Sequence, residues 1–127
     1  MTTRQVHATD QAPAAIGPYS QAISSHGKMY FLSGQIPLRP DGTLVEGDIR
    51  AQTEQVVANI RAMLQALDLT PKHVVKTTIF LSTMDHFGAV NEIYGHLFPT
   101  DPPARSTVAV AGLPRGVDVE IECIAMK

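Results

Sequence analysis

Apolar residues recur at three- and four-residue intervals from Ile49 through Val56, Val57, Ile60, Met63 and Leu64 to Leu67. That spacing predicts an amphipathic helix over residues 49–67 with one buried side, capped by Asp48 and stopped before Pro71. A second helix is predicted to begin near residues 83–85 and to run to about Leu97. Phe87, Val90, Tyr94, Leu97 and Phe98 repeat the same intervals before a proline-rich run ends it. Between the helices, Val74–Leu81 is rich in β-branched residues and flanked by breakers, which predicts a strand apolar on both faces. Upstream, KMYFLSGQ at residues 28–35 puts Met29 and Phe31 on one face and Tyr30 and Leu32 on the other, the pattern of a central strand. A short strand is predicted at residues 4–9. Residues 22–24 and 28–35, separated by Ser25, His26 and Gly27, read as a hairpin closed by a glycine turn.

Near the C-terminus, two alternating runs at residues 105–110 and 117–125 flank a segment rich in glycine and proline, and they are predicted to pair antiparallel. Arg105 and Thr107 share one face of the first run. In the second, Val117, Val119, Ile121 and Cys123 form an apolar face, with Asp118, Glu120 and Glu122 opposite. A turn folded symmetrically about Leu113 and Pro114 sets Arg105 opposite Glu122 and Thr107 opposite Glu120, one guanidinium beside two carboxylates.

The order of elements defines an α+β fold: a mixed sheet of about six strands with two helices on one face. Two helices cover only one face of such a sheet, while at least two strands are apolar on both. A second copy of the chain is therefore predicted to cover the rest. The 127 residues are expected to form a single domain, 1–127, with a real core. An apolar fraction of 44% and a charged fraction of 17% are those of a soluble globular protein. No apolar run approaches the ~20 residues of a membrane-spanning helix. The opening MTTRQVHATD lacks an apolar signal segment, and the lone Cys123 cannot form an internal disulfide; both point to a cytoplasmic protein. Ten Lys and Arg against twelve Asp and Glu give a net charge of −2, and the basic residues are scattered, which argues against a nucleic-acid partner.

Several chemistries are excluded by spacing. GPYSQ and SGQIP lack the further glycines or the Gly-Lys-Thr of a phosphate loop. The histidines show no short metal-ligand spacing, so no metal site is expected. No serine stands in a nucleophile elbow. What remains is Arg105, Glu120, Glu122, Thr107 and Tyr19. Read from the residues alone, Arg105 makes an ordinary cross-strand ion pair, worth ~0.2–1 kcal/mol. Tyr19 packs within a proline-rich loop, and Cys123 is inert core.

Six blocks carry a resemblance: IGPYSQA (16–22), YFLSGQIPL (30–38), VVKTTIFL (74–81), AVNEIY (89–94), PPARSTV (102–108) and VEIECIA (119–125). In order and over nearly the whole chain, they resemble the RidA/YjgF family of imine deaminases. The resemblance implies a fold like that of the small trimeric chorismate mutases, with helices outside, the sheets of three protomers packed at the centre, and a site at each subunit interface. Matched by motif, the catalytic residues would be Arg105, Glu120 and Tyr19, and Ser33, Gly34, Asn91 and Thr107 would join Arg105 in binding substrate. The implied reaction is hydrolysis of 2-imino acids such as 2-iminopropanoate and 2-iminobutanoate to 2-oxo acids and ammonia. The imines arise from enamines released by pyridoxal-phosphate dehydratases, and no cofactor of its own is implied. A guanidinium grips a carboxylate through two parallel hydrogen bonds, and a nearby glutamate can deprotonate water. Thr107 stands where the family frequently has cysteine, which disfavours a thiol nucleophile and leaves water attack. Two alternatives stay open: a non-catalytic trimer holding small carboxylates in the same cleft, and the ribonuclease or translation-inhibitor activity attributed to some relatives.

Overall fold

A computed structural model describes residues 4–127. In chain order the elements are β1 (Gln5–His7), β2 (Ala22–Ser24), β3 (Met29–Gln35), α1 (Ile49–Ala66), β4 (Val74–Leu81), α2 (Phe87–Leu97), β5 (Ala104–Ala109) and β6 (Val119–Met126). The α+β class with two helices and six strands holds. The strands divide between two sheets, an antiparallel β1-β2 ribbon and a mixed sheet in the order β3-β6-β4-β5.

The helices form where the periodicity places them. Asp48 Oδ1 accepts a hydrogen bond from the Ala51 N–H at 2.9 Å, satisfying one of the donors that open α1. Val56, Val57, Ile60 and Leu64 of α1 and Val90, Ile93, Tyr94 and Leu97 of α2 are buried in one core with Leu32, Ile79, Ile121 and Cys123 of the sheet. Both helices therefore cover the same sheet face. No helix among the described residues is long and apolar enough to cross a membrane.

Two predicted hairpins do not form. The first joined residues 22–24 to 28–35; instead β2 pairs with β1 and β3 pairs with β6. Gly27, at φ 118°, turns the chain away from β2 and toward the C-terminus. There Lys28 and Lys127 exchange backbone hydrogen bonds of 2.9 and 3.0 Å. A Cβ on Gly27 would lie 2.6 Å from the Lys127 carbonyl carbon, so the approach requires glycine.

The second was the C-terminal ribbon. β5 and β6 are not neighbours, because β4 lies between them. β5 runs parallel to β4 through the α2 crossover, with Thr77 opposite Arg105 and Ile79 opposite Thr107. β6 runs antiparallel along the other edge of β4, with Glu120 opposite Phe80 and Glu122 opposite Thr78. Arg105 is thus opposite neither glutamate. β4 is interior to the sheet, with a neighbour on each side, and its face away from the helices carries Lys76, Thr78 and Phe80. The connection from β5 to β6 passes over its end, where Val110 N–H donates to the Leu81 carbonyl at 2.9 Å and Ser82 N–H to the Asp118 carbonyl at 3.0 Å. Asp118 also ties three elements together. Its carboxylate accepts from Ser82 Oγ and Gln52 Nε2, both at 2.8 Å, and these bonds, Ser82 foremost, hold its pKa below the usual carboxylate range.

The face away from the helices is open. Rows of paired residues cross it: Phe31, Ile124 and Lys76; Glu122, Thr78 and Ser106; Glu120, Phe80 and Val108. Phe31 is 71% exposed, Met29 49% and Val108 43%. β3 is consequently an edge strand and not the predicted central one. Its second apolar face is this uncovered surface.

Candidate functional site

Residues that face each other across neighbouring strands project from the same side of a sheet. Thr77 is opposite both Arg105 and Cys123, so Arg105 projects from the helix-covered side. It emerges at the β5 edge beneath α2. That helix presents Phe87, Asn91 and Tyr94 at four- and three-residue intervals along one stripe. The Arg105 Nη1 donates to Asn91 Oδ1 at 2.6 Å. The guanidinium carbon lies 5.1 Å from the Tyr94 ring centroid and 5.7 Å from that of Phe87. Tyr94 is itself fixed by a buried 2.6 Å hydrogen bond between its hydroxyl and Thr77 Oγ1, and burial raises its pKa far above the usual tyrosine value.

The third wall is Tyr19, with its ring 5.4 Å from the same guanidinium carbon. The loop that carries it is stitched to the start of β5. Ser20 N–H donates to the Pro103 carbonyl at 3.1 Å, Ser20 Oγ donates to the Pro102 carbonyl, and Ser20 bridges Ala104. Gly17, at φ 124°, turns the loop beside Asn91.

Arg105 is therefore a half-buried cation lined by three rings and one amide. Among the described residues no carboxylate lies within ion-pairing distance of it. The cross-strand ion pair is replaced by cation–π contacts, each worth ~0.5–2 kcal/mol when desolvated. Burial lowers the Arg105 pKa from its usual value, and Tyr94 and Tyr19 oppose that shift. The group stays protonated at neutral pH, and among the described residues its N–H donors beyond the one given to Asn91 have no protein partner. Such donors suit a planar, bidentate anion.

Two residues farther along the same face, Thr107 Oγ1 is buried without a hydrogen-bond partner among the described residues. Glu120 lies elsewhere. Opposite Phe80 and beside Val108, it projects from the open face, so the sheet itself separates it from Arg105. Ser33 and Gly34 sit with it on the β3 edge, where the register shifts between Leu32 and Gln35. Of the residues singled out from the sequence, Arg105, Asn91 and Tyr19 come together, with Thr107 on the same face. Glu120, Ser33 and Gly34 form a second group. Phe87 and Tyr94 were missed as site residues, because their helical spacing reads as core. Their interval to Asn91, a polar residue on the same stripe, was the available signal. Among the described residues no group of three or more His, Cys, Asp or Glu side chains could hold a metal ion.

Comparison with known proteins bears on what this arrangement serves. Residues 9–127 match the family described as Endoribonuclease L-PSP. Protein DfrA of Myxococcus xanthus is 53% identical over 128 residues, spanning 99% of this chain and 97% of the relative. The 2-iminobutanoate/2-iminopropanoate deaminase of Mus musculus is 46% identical over 125 residues, spanning 98% and 92%. The crystal structure of RidA from an Antarctic Psychrobacter superposes with a TM-score of 0.75 at 40% identity, covering 97% of this chain and 99% of that one. With the family match and these relatives spanning nearly its full length, the chain belongs to the RidA/YjgF family.

Proposed function

We propose that the protein hydrolyses 2-imino acids such as 2-iminopropanoate and 2-iminobutanoate to the 2-oxo acids and ammonia. The observation that carries this reading is Arg105, a cation desolvated by aromatic rings, held by a neutral amide and without a carboxylate partner among the described residues. Such a group is prepared to take the carboxylate of a small acid, and holding that carboxylate fixes the adjacent imine carbon. Water adds to that carbon as Glu120 accepts its proton. Glu120 returns that proton to nitrogen to give the carbinolamine and then relays the hydroxyl proton to the same nitrogen, so that ammonia leaves as the C–N bond breaks and the carbonyl forms. Tyr19, across the guanidinium, borders the bound acid, and Ser33, Gly34 and Thr107 complete the substrate contacts.

Glu120 reaches this centre from a second copy of the chain. Arg105 and Glu120 leave opposite sides of one sheet, so a single protomer cannot unite them. The exposed Phe31, Met29 and Val108, on the same sheet face as Glu120, give the open face its reason to pack against another copy. A homotrimer with the sheets at its centre closes both requirements three times over. The attack uses water and no cofactor.

The test generates 2-iminobutanoate in situ with a dehydratase and follows 2-oxobutanoate formation. The wild-type protein is expected to accelerate hydrolysis and Arg105→Ala to abolish the acceleration. Arg105-dependent carboxylate binding without turnover would instead identify a binding protein.

A further inference from the structure

Gly34 is a glycine for reasons of space. Its φ lies outside the left-handed region, unlike those of Gly17, Gly27, Gly42, Gly47 and Gly116, so the backbone admits any L residue there. A Cβ at Gly34, however, would fall on a carboxylate oxygen of Glu120, 2.8 Å from Cδ and 3.1 Å from Cγ. The carboxylate would have to turn away, and Cγ would have to give by a few tenths of an ångström as well.

The strand pairing explains how the two residues meet. Leu32 is opposite Cys123 and Gln35 is opposite Ile121, so Ser33 and Gly34 together stand against Glu122 alone. Two residues against one is a β-bulge, which bends the strand and re-aims its neighbours. Here it sets the bare face of Gly34 against the side chain that leaves β6 at Glu120.

We propose that Gly34 is a positioning residue: the bulge and the missing side chain form a niche that fixes the Glu120 carboxylate against β3. This rests on the deaminase reading for its consequence, because the carboxylate so fixed is the proton acceptor presented to the Arg105 of another copy. Phe80 and Val108 flank Glu120 across the other strands and offer it no hydrogen bond, so the niche sets its direction.

The experiment is a double-mutant cycle with a structural readout. Gly34→Ala is expected to lower kcat by about 10–100-fold, the effect of displacing a reacting group by ~1 Å, and the loss in kcat is expected to exceed any rise in KM that comes from its substrate contact. Gly34→Ala is also expected to lower the melting temperature, and in a Glu120→Ala background, which has no turnover, the same change is expected to leave it unmoved, since the new Cβ then meets no carboxylate. The ¹³C resonance of the Glu120 carboxyl is expected to shift in Gly34→Ala. Equal losses in both backgrounds, a rise in KM with kcat retained, or an unmoved carboxyl resonance would overturn the proposal. Should Gly34→Ala fail to assemble, the Glu120→Ala background must restore assembly, and failure there overturns it too. If the wild-type protein turns over no imine, the deaminase reading fails alone and the carboxyl resonance still decides the contact.

Discussion

Arg105 Nη1 and Asn91 Oδ1 stand 2.6 Å apart, and the acceptor is an amide where a carboxylate would have made a stronger pair. The choice keeps the guanidinium charge available. Asn91→Ala removes a bond to a charged group, worth ~1.5–3 kcal/mol, and is expected to raise KM roughly tenfold or more as Arg105 loses its orientation. Asn91→Asp is expected to raise KM further, because the new carboxylate occupies Arg105 and repels the substrate's own. Steady-state kinetics on the three proteins check the order wild type, Asn91→Ala, Asn91→Asp.

Separation of Arg105 and Glu120 by the sheet predicts complementation between inactive variants. Arg105→Ala and Glu120→Ala are each expected to be inactive as pure assemblies. Unfolded together in equal amounts and refolded, they are expected to recover activity at about one site in four, where the chain retaining Arg105 meets the chain retaining Glu120 in the right order. The rate of 2-oxobutanoate formation after mixing reads this directly. No recovery from properly assembled mixtures would place both residues' action within one chain.

Asp118 makes stability depend on acid. Its folded-state pKa is depressed, chiefly by Ser82 and then by Gln52, so its bonds stabilise the fold fully above the ordinary aspartate pKa of ~3.9. That contribution is lost as pH falls through the lower folded value. Ser82→Ala is expected to cost about 1 kcal/mol at pH 7, discounted for partial exposure, and progressively less below ~pH 3.9. Urea titrations across that range measure the closing gap.

Some of this molecule was legible from residue order and some was not. α1 was read because eighteen residues carry one unbroken stripe and Asp48 caps them. Strand existence was equally plain at Val74–Leu81. Pairing was not, because alternation tells which residues of a strand share a face but not which strand lies alongside. The β5–β6 ribbon satisfies the same alternation as the true order with β4 between them, and only the second changes the neighbours of Arg105. The grouping of Tyr19, Asn91 and Arg105 was accessible through their sequence blocks, since they lie on a loop, a helix and a strand far apart in the chain. Phe87 and Tyr94 stayed hidden because a ring that lines a cation and a ring that fills a core leave the same helical period.

The rings around Arg105 also govern how an anion arrives. The chain carries a formal charge of −2, so beyond the Debye length of about 8–10 Å it offers a carboxylate no attraction at physiological ionic strength. Inside that distance the guanidinium has no ion-paired acid of its own protomer among the described residues. Capture is consequently a close-range event that follows random encounter, and its rate is set by diffusion and fit and varies little with added salt.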